Sequence, residues 1–192
     1  MTDIKVTQWF ALKTIFSREQ IVEKHLVKFC REQTIEKHLA EQNVQCFIPM
    51  KYKVIVKDER KQRILVPAIH NIVFVNSTRA LLDDYIARKG GIYSVQYMRD
   101  LVTNEPIIIP QQQMTNFMLV TGTHSDDLIY LNDPFEKFSQ HEKVQVTGGL
   151  LEGMEGHVVR IRRDRKVVVS IYGVVAVAVS GIHPPLLKRI NQ

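Results

Sequence analysis

The sequence lacks most of the features by which metal proteins, membrane proteins and common enzymes are recognised. Its two cysteines, Cys30 and Cys46, have neither the CxxC nor the Cys/His spacing of a zinc site, which predicts a reduced, cytoplasmic protein without a metal or other cofactor. No stretch approaches the roughly eighteen apolar residues of a membrane span, and the start MTDIKVTQWF lacks the features of a signal peptide. Ser/His/Asp, paired-carboxylate, P-loop and HExxH patterns are also missing, so we expect a soluble binding protein that is not an enzyme and does not contact a membrane.

The composition is that of a globular chain with a mild excess of basic residues. With 192 residues, of which 45% are apolar, the chain can bury the core of one larger domain or of two small ones. The formal charge of +6 and the pI near 9.3 permit contact with nucleic acid. The charge alone does not establish that contact.

The N-terminal part of the chain alternates between strand-like and helix-like segments. Residues 4–15, with Trp9 at their centre, are rich in β-branched and aromatic residues, and Ser17 is placed to cap a helix that runs to about residue 43. The pattern then predicts β segments at 46–56 and 63–78, a helix closed by Gly90 and Gly91, a strand at 91–100, and a helix from Pro110 to Gly122. This order predicts an α+β sandwich in which helices pack on an antiparallel sheet.

A change of pattern separates a second domain from the first. Residues 123–140 have little periodicity and several turn formers, so we read them as a linker with a short helix as an option. From residue 142 onward the chain alternates without a helical period, and strands are predicted at 143–147, 157–163, 166–172 and 174–179. Four short strands bury their apolar faces by curling into a small all-β barrel. The predicted domains are therefore residues 1–122 and 141–192, joined by the linker at 123–140.

The glycines of the C-terminal part carry a resemblance to a known motif. The segment Val144-x-Val146-Thr-Gly-Gly149, then Gly153 and Gly156, and finally Ser170-Ile-Tyr-Gly173 resembles a KOW motif, the hairpin of NusG-type transcription factors and of some ribosomal proteins. We expect Gly148 or Gly149 to adopt positive φ in a tight turn, and Gly156 to let two strands approach closely. The resemblance implies an SH3-like KOW barrel.

The N-terminal part resembles the NGN domain of the same family. Trp9 stands where that domain has a tryptophan in its first strand, and "AIHNIVFV", residues 68–75, aligns with a family pattern. In that pattern His70 replaces a proline and Ile72 replaces an aromatic residue, which alters the family's surface contact there. Within the family, the linker and "IIIPQQQMTNFM" look most like the UpxY subgroup, whose members act on capsular polysaccharide operons.

The resemblance implies a transcription elongation or antitermination factor that binds RNA polymerase and suppresses pausing or termination. An apolar patch on the NGN sheet would dock on the clamp of the large polymerase subunit, and the KOW barrel would bind a ribosomal protein or another factor. The implied polymerase-binding residues are Phe10, Ile69, Ile72, Phe74 and Val95, and the implied partner-binding pair of the barrel is Ile171 and Tyr172. The alternative for the five implied polymerase-binding residues is that they are ordinary core residues of the sheet, with no role in binding.

Three groups of basic residues are candidates for contact with non-template DNA or nascent RNA. The resemblance places Arg79, Arg88 and Lys89 near the strand of DNA that specialised family members touch. Two further clusters, "KYKVIVKDERKQR" on a hairpin arm and "RIRRDRK" around Arg160 and Arg162, either follow a nucleic-acid backbone or are simply solvated. The alternative function for the whole chain is a KOW-containing RNA-binding protein associated with the ribosome or translation.

One phrase occurs twice in the predicted first helix. Arg18-Glu-Gln-x-x-Glu-Lys-His-Leu26 recurs thirteen residues later as Arg31-Glu-Gln-x-x-Glu-Lys-His-Leu39. A shift of thirteen residues turns the second copy by about 220°, so the two copies do not form one site on one helix face. We interpret them as a tandem duplication in a long or kinked helix, with an apolar stripe that continues through Leu39 and Ala40.

Overall fold

The computed structural model describes residues 6–14, 31–57, 59–93, 95–131, 141–161 and 164–190. Its described residues form two compact units. The first unit combines the residues up to Ile48 with Ile69–Gln111, and the second combines Pro49–Ala68 with the residues from Gln112 onward. These units are groups of residues in mutual contact. The domain boundaries predicted from the sequence describe segments that fold independently, and they stay a prediction. No helix in the described part of the chain is long and apolar enough to cross a membrane.

The first unit is built on a five-stranded antiparallel sheet. Its strands follow the order β2-β5-β1-β6, and β7 also pairs with β1. The strands are β1 (Gln8–Thr14), β2 (Gln45–Phe47), β5 (Ile72–Ser77), β6 (Val95–Tyr97) and β7 (Ile108–Ile109), and the helices are α1 (Arg31–Ala40) and α2 (Arg79–Tyr93). Mixed sheet and helix in this part of the chain agrees with the predicted fold class.

The central strand β1 is buried on both faces. The residues from Trp9 to Leu12 are at most 2% exposed, and the Phe10 ring lies 5.6 Å from the ring of Tyr97. The Trp9 indole N–H donates a hydrogen bond of 3.0 Å to the side chain of Gln111. A tryptophan can be buried this deeply because its polar N–H has a partner.

Helix α1 contains the second copy of the doubled phrase. Its buried residues Glu32, Ile35 and Leu39 recur at the spacing of one helix face, while Ala40, which we placed on the buried stripe, is exposed. The helix ends in a Schellman motif: Asn43 has a φ of 58°, and the Val44 N–H donates to the Leu39 carbonyl. The first copy lies at 18–26, outside the described residues.

Five sequence predictions of elements are wrong, and of the described residues in the strand predicted at 91–100 only Val95–Tyr97 form a strand. The β segment at 46–56 divides into β2 and β3 (Met50–Lys57), and the segment at 63–78 divides into β4 (Arg60–Pro67) and β5. Pro49 and Pro67 lie at these breaks, where proline lacks the N–H that a continuous ladder requires. Helix α2 continues through Gly90 and Gly91 to Tyr93, because glycine costs a helix only about 1 kcal/mol per residue. Residues 129–131 of the predicted linker form a strand.

The second unit contains a hairpin, a helix and a six-stranded sheet. Strands β3 and β4 pair with each other in a sheet of two strands, and α3 (Gln111–Thr121) begins after Pro110 as predicted. The larger sheet has the order β13-β9-β10-β11-β12-β8. Its strands are β8 (Ile129–Leu131), β9 (Lys143–Val146), β10 (Glu155–Ile161), β11 (Asp164–Ile171), β12 (Val175–Val179) and β13 (Leu187–Arg189). The described pairing is an open path from β13 to β8, so the closed barrel stays a prediction.

Two glycines of the larger sheet behave as the sequence predicted. Gly149 has a φ of 84°, a conformation that residues with a Cβ rarely adopt. A Cβ at Gly156 would lie 2.7 Å from the carbonyl oxygen of Val168, so only glycine allows this approach of β10 to β11. Val159, Val168, Ala176 and Ala178 form a buried cluster in this sheet. Ile129 and Leu131 of β8 pack against that cluster, which explains why a short apolar run becomes a strand here.

Candidate functional site

The turn that precedes β5 presents two partly exposed isoleucines. Ile69 and Ile72 are each half-buried, and His70 between them is exposed. Adjoining apolar side chains that keep part of their surface in water can form a contact site, so this pair is a candidate. These are the two predicted polymerase-binding residues that the structure leaves accessible.

Asn71 fixes the shape of this turn. Its φ is 67°, a left-handed conformation that asparagine adopts more readily than most residues with a Cβ. The Asn71 N–H donates a 2.9 Å hydrogen bond to Oε1 of Glu32, and the Asn71 carbonyl accepts a 3.0 Å bond from the Thr14 N–H. Glu32 is only 3% exposed. The turn is therefore tied to both α1 and the end of β1.

The other three predicted polymerase-binding residues belong to the core. Phe10 and Phe74 are fully buried and Val95 is 1% exposed. Phe74 lies opposite Ala11 in the β1–β5 ladder, and Val95 lies opposite Thr14 in the β1–β6 ladder. All three side chains are buried, so they offer no surface to a partner. We therefore remove Phe10, Phe74 and Val95 from the candidate surface.

A second exposed apolar pair on the first unit was not singled out from the sequence. Leu101 and Val102 are 101% and 89% exposed at the tip of a turn. The Asp100 carboxylate accepts hydrogen bonds from the N–H groups of Val102 and Thr103 and holds this turn. Its sequence, "RDLVTNEP", reads as an ordinary polar loop, which is why it gave no signal.

The predicted DNA-binding residues of α2 do not share one face. Arg79 and Arg88 are nine residues apart, which places them about 180° apart around the helix. Arg79 pairs with Glu105 at 3.2 Å and with Asp83 at 3.8 Å, and Arg88 pairs with Asp84. The Lys89 side chain lies outside the described residues. Acidic partners reduce the attraction of these arginines for phosphate, although exposed ion pairs of this kind are weak enough to exchange.

The basic cluster of the C-terminal sheet borders a groove of about 480 Å³. Arg160 of β10 lies directly opposite Arg165 of β11, and both are exposed. Arg189, which the sequence did not mark, joins them at the groove and pairs with Glu142. Arg162 falls outside the described residues. The groove has valine walls and an arginine rim, so it can accept an anionic partner.

Lys166 is the buried cation of this groove. It is 8% exposed, and its Nζ donates a 2.6 Å hydrogen bond to the hydroxyl of Ser180. A hydroxyl satisfies one of the three ammonium donors without neutralising the charge. The groove therefore stays electropositive.

The predicted partner-binding pair of the C-terminal domain divides between the core and the surface. Ile171 is 1% exposed, whereas Tyr172 is 38% exposed. The end of the strand explains the difference, because Ile171 is the last residue of β11 and pairs with Val175, while Tyr172 lies in the turn that follows. The Tyr172 N–H donates to the side chain of Gln113. Tyr172 is thus the accessible member.

The described residues contain no group of three or more His, Cys, Asp and Glu side chains arranged to hold a metal ion. The family model described as transcription termination factor nusG matches residues 7–118, which is more than half of the sequence. The chain belongs to the NusG family. A search of curated proteins found no match.

Membership in the NusG family makes the chain a transcription factor of the termination and elongation class, whose members interact with the transcription machinery. The matched residues include β1, the turn at 69–72 and all of the first unit's sheet. They end before the six-stranded sheet. The NGN resemblance of the N-terminal part is thereby supported, and the KOW resemblance of the C-terminal part rests on its glycines alone.

Proposed function

We propose that this NusG-family chain binds RNA polymerase through the turn at Ile69–Ile72 and suppresses pausing or termination. The observation that carries the proposal is the half-buried isoleucine pair, held by Glu32 and Thr14 within the segment that the family model matches. The partner surface would be the clamp of the large polymerase subunit. The chain acts in the cytoplasm by binding and has no catalytic step.

The isoleucines suit an apolar protein surface. Burial of apolar area contributes about 25 cal/mol per Å², and a single anchor truncated to alanine costs an interface about 1–2 kcal/mol. Because the turn is tied on both sides, little conformational entropy is lost when it docks. The loss of the family's aromatic residue at Ile72 reduces the area available at this position.

The C-terminal sheet supplies a second interaction in this proposal. We assign it as a KOW domain whose exposed Tyr172 contacts a ribosomal protein or another factor. Its groove at Arg160 and Arg165 contacts nascent RNA, while Arg79 and Arg88 contact non-template DNA. From the UpxY resemblance, we propose that the chain acts on the transcription of capsular polysaccharide operons.

Co-purification tests the proposal in the native bacterium. Tagged wild-type protein is compared with Ile69→Asp/Ile72→Asp and with Leu101→Asp/Val102→Asp, which places the same two charges at the other exposed apolar pair of the first unit. We expect polymerase with the wild type and with the Leu101/Val102 variant, and none with the Ile69/Ile72 variant. Recovery of ribosomes without polymerase would support instead the alternative, a ribosome-associated RNA-binding protein.

A further inference from the structure

The hairpin of β3 and β4 is a two-stranded ribbon with its own anchoring contacts. All eight residues of Met50–Lys57 pair in register with Arg60–Pro67, and the described pairing joins neither strand to another sheet. At about 3.4 Å per residue, the ribbon is roughly 27 Å long. A two-stranded hairpin of this kind is marginally stable alone, so its base requires support.

Contacts with the 123–126 segment provide that support at the base of the ribbon. Arg63 pairs with Asp126 at 2.8 Å, and its guanidinium lies 4.1 Å from the centre of the Tyr52 ring. The His124 ring meets the edge of Tyr52, and His124 Nδ1 lies 3.1 Å from the Met50 carbonyl oxygen. The base of the ribbon is therefore fixed, and the described side chains between Lys51 and Arg63 are exposed except for the half-buried Ile55.

This exposed stretch of the hairpin is strongly basic. Residues 51–63 contain six basic and two acidic residues. Lys51 and Lys53 lie on one strand and Arg60 and Lys61 on the other, and all four are exposed. None of the four forms an ion pair with another residue in the described part of the chain. Both strands of the ribbon therefore carry exposed cations, with Lys51, Lys53 and Arg60 on one face and Lys61 on the other.

We propose that this ribbon binds duplex DNA in the major groove. The major groove of B-DNA is about 12 Å wide and admits a two-stranded β-ribbon, with a phosphate backbone along each edge. Lys51, Lys53 and Arg60 share one face of the ribbon and would contact the phosphates from that face, while Lys61 on the opposite face would reach the phosphates along its edge. Val54 and Val56, which are 60% and 71% exposed, lie on the face opposite Lys51 and Lys53 and would point away from the bases.

RNA fits the same ribbon less well. The major groove of A-form RNA is deep and narrow, and proteins that hold single strands use exposed aromatic rings for stacking. Tyr52 is the only aromatic residue of the hairpin, and its ring is covered by Arg63 and flanked by His124. The charge pattern together with the missing stacking platform favours duplex DNA.

Fluorescence anisotropy with a labelled 30-base-pair duplex, measured over a range of KCl concentrations, tests the ribbon without polymerase. The variant Lys51→Ala/Lys53→Ala/Lys61→Ala is compared with Lys13→Ala/Lys37→Ala/Lys188→Ala, which removes the same charge from exposed positions elsewhere. Each lost phosphate contact reduces the slope of log K against log[KCl] by about 0.9. For the ribbon variant, we expect the magnitude of this slope to fall by about 2 to 3. We expect its affinity for the duplex to fall roughly 100-fold at 0.1 M KCl.

Several outcomes would overturn this assignment. Equal losses in the two triple variants would show that the ribbon has no special role, and tighter binding to a 30-nucleotide single-stranded RNA would exclude duplex DNA as the ligand. Lys51→Arg/Lys53→Arg/Lys61→Arg, which keeps the charge, should bind like the wild type. A third outcome would assign the ribbon to a protein partner. In that case the lysine variant keeps its DNA affinity, and Val54→Thr/Val56→Thr loses a bound protein.

Discussion

The side chain of Glu32 accepts a 2.9 Å hydrogen bond from the backbone N–H of Asn71. Glu32 belongs to the second copy of the doubled phrase, and Asn71 lies between the two isoleucines of the candidate polymerase-binding turn. The second Glu32 oxygen, Oε2, is buried without a hydrogen-bond partner among the described residues. Part of the doubled phrase therefore has a structural role, which is to hold that turn.

Replacing Glu32 should destabilise the first unit in a way that depends on the hydrogen-bond acceptor. Glu32→Ala leaves the Asn71 N–H unsatisfied and should lower the free energy of unfolding by about 1–3 kcal/mol. Glu32→Gln keeps an acceptor and should cost less than about 1 kcal/mol. Urea denaturation measures both, with Glu41→Ala on the exposed end of the helix as the control. Equal destabilisation by alanine and glutamine would contradict the assigned role.

Cys46 should make stability fall at alkaline pH. Burial, followed by the negative charge of Glu36, raises the pKa of the Cys46 thiol from 9.0 to about 12. The thiol of the unfolded chain therefore loses its proton at a lower pH than the thiol of the folded chain, so the contribution to stability is complete below pH 9 and is lost as pH rises toward 12. Between pH 8 and 10.5, the wild type should lose more unfolding free energy than Cys46→Ala. Parallel losses would show that the thiol is not responsible.

The arginine pair of the C-terminal sheet should cost stability. Like charges directly opposite each other on neighbouring strands are unfavourable by a few tenths to about 1 kcal/mol. We expect Arg165→Glu, which places opposite charges against Arg160, to raise the free energy of unfolding by about 0.5 kcal/mol, and less at high salt. Lys188→Glu is the control, because Lys188 lies opposite the neutral Gln145. An equal rise in the free energy of unfolding of the Lys188→Glu control would show that the Arg160–Arg165 pair is not the cause.

Gly156 should tolerate no side chain, whereas Gly148 should tolerate one. A Cβ at Gly156 would lie 2.7 Å from both Val167 Cγ1 and the Val168 carbonyl oxygen, and a Cβ at Gly148 would meet Leu186 at an ordinary 3.5 Å. Gly156→Ala should therefore lower the free energy of unfolding by about 1–3 kcal/mol, and Gly148→Ala should change it little. Thermal melts of the two variants make the comparison. A Gly156→Ala variant as stable as the wild type would mean that β10 and β11 separate without cost.

The sequence predicted features that depend on local chemistry. Gly149 and Gly156, the helix that begins after Pro110 and the hairpin arm all follow from turn propensity and alternation, and the structure confirms them. The family resemblance placed Phe74 on the docking surface, but Phe74 is buried, and the strand pattern alone does not tell whether one face of the sheet or both are covered. Burial on both faces is decided by elements distant in the sequence.

Pairing between strands that are distant in the sequence also explains which features the sequence did not predict. Residues 129–131 look like a linker until β12 supplies a hydrogen-bonding partner, and Arg189 reaches the groove only because β13 pairs with β9. The repeated helix phrase contains several charged residues, and nothing in the phrase distinguishes Glu32 from the others. Its burial became visible only when the Asn71 turn was placed beside it.

Direct binding to purified RNA polymerase tests the central claim most clearly. The affinity of the wild type for core polymerase, and for the isolated clamp helices of its large subunit, is compared with that of folded Ile69→Asp/Ile72→Asp and Leu101→Asp/Val102→Asp proteins. The account predicts wild-type binding to both targets, at least about a 10-fold loss for the Ile69/Ile72 variant, and no loss for the Leu101/Val102 variant. Unchanged affinity of the Ile69/Ile72 variant, with circular dichroism showing that it is folded, would contradict the assignment of this turn as the polymerase-binding site.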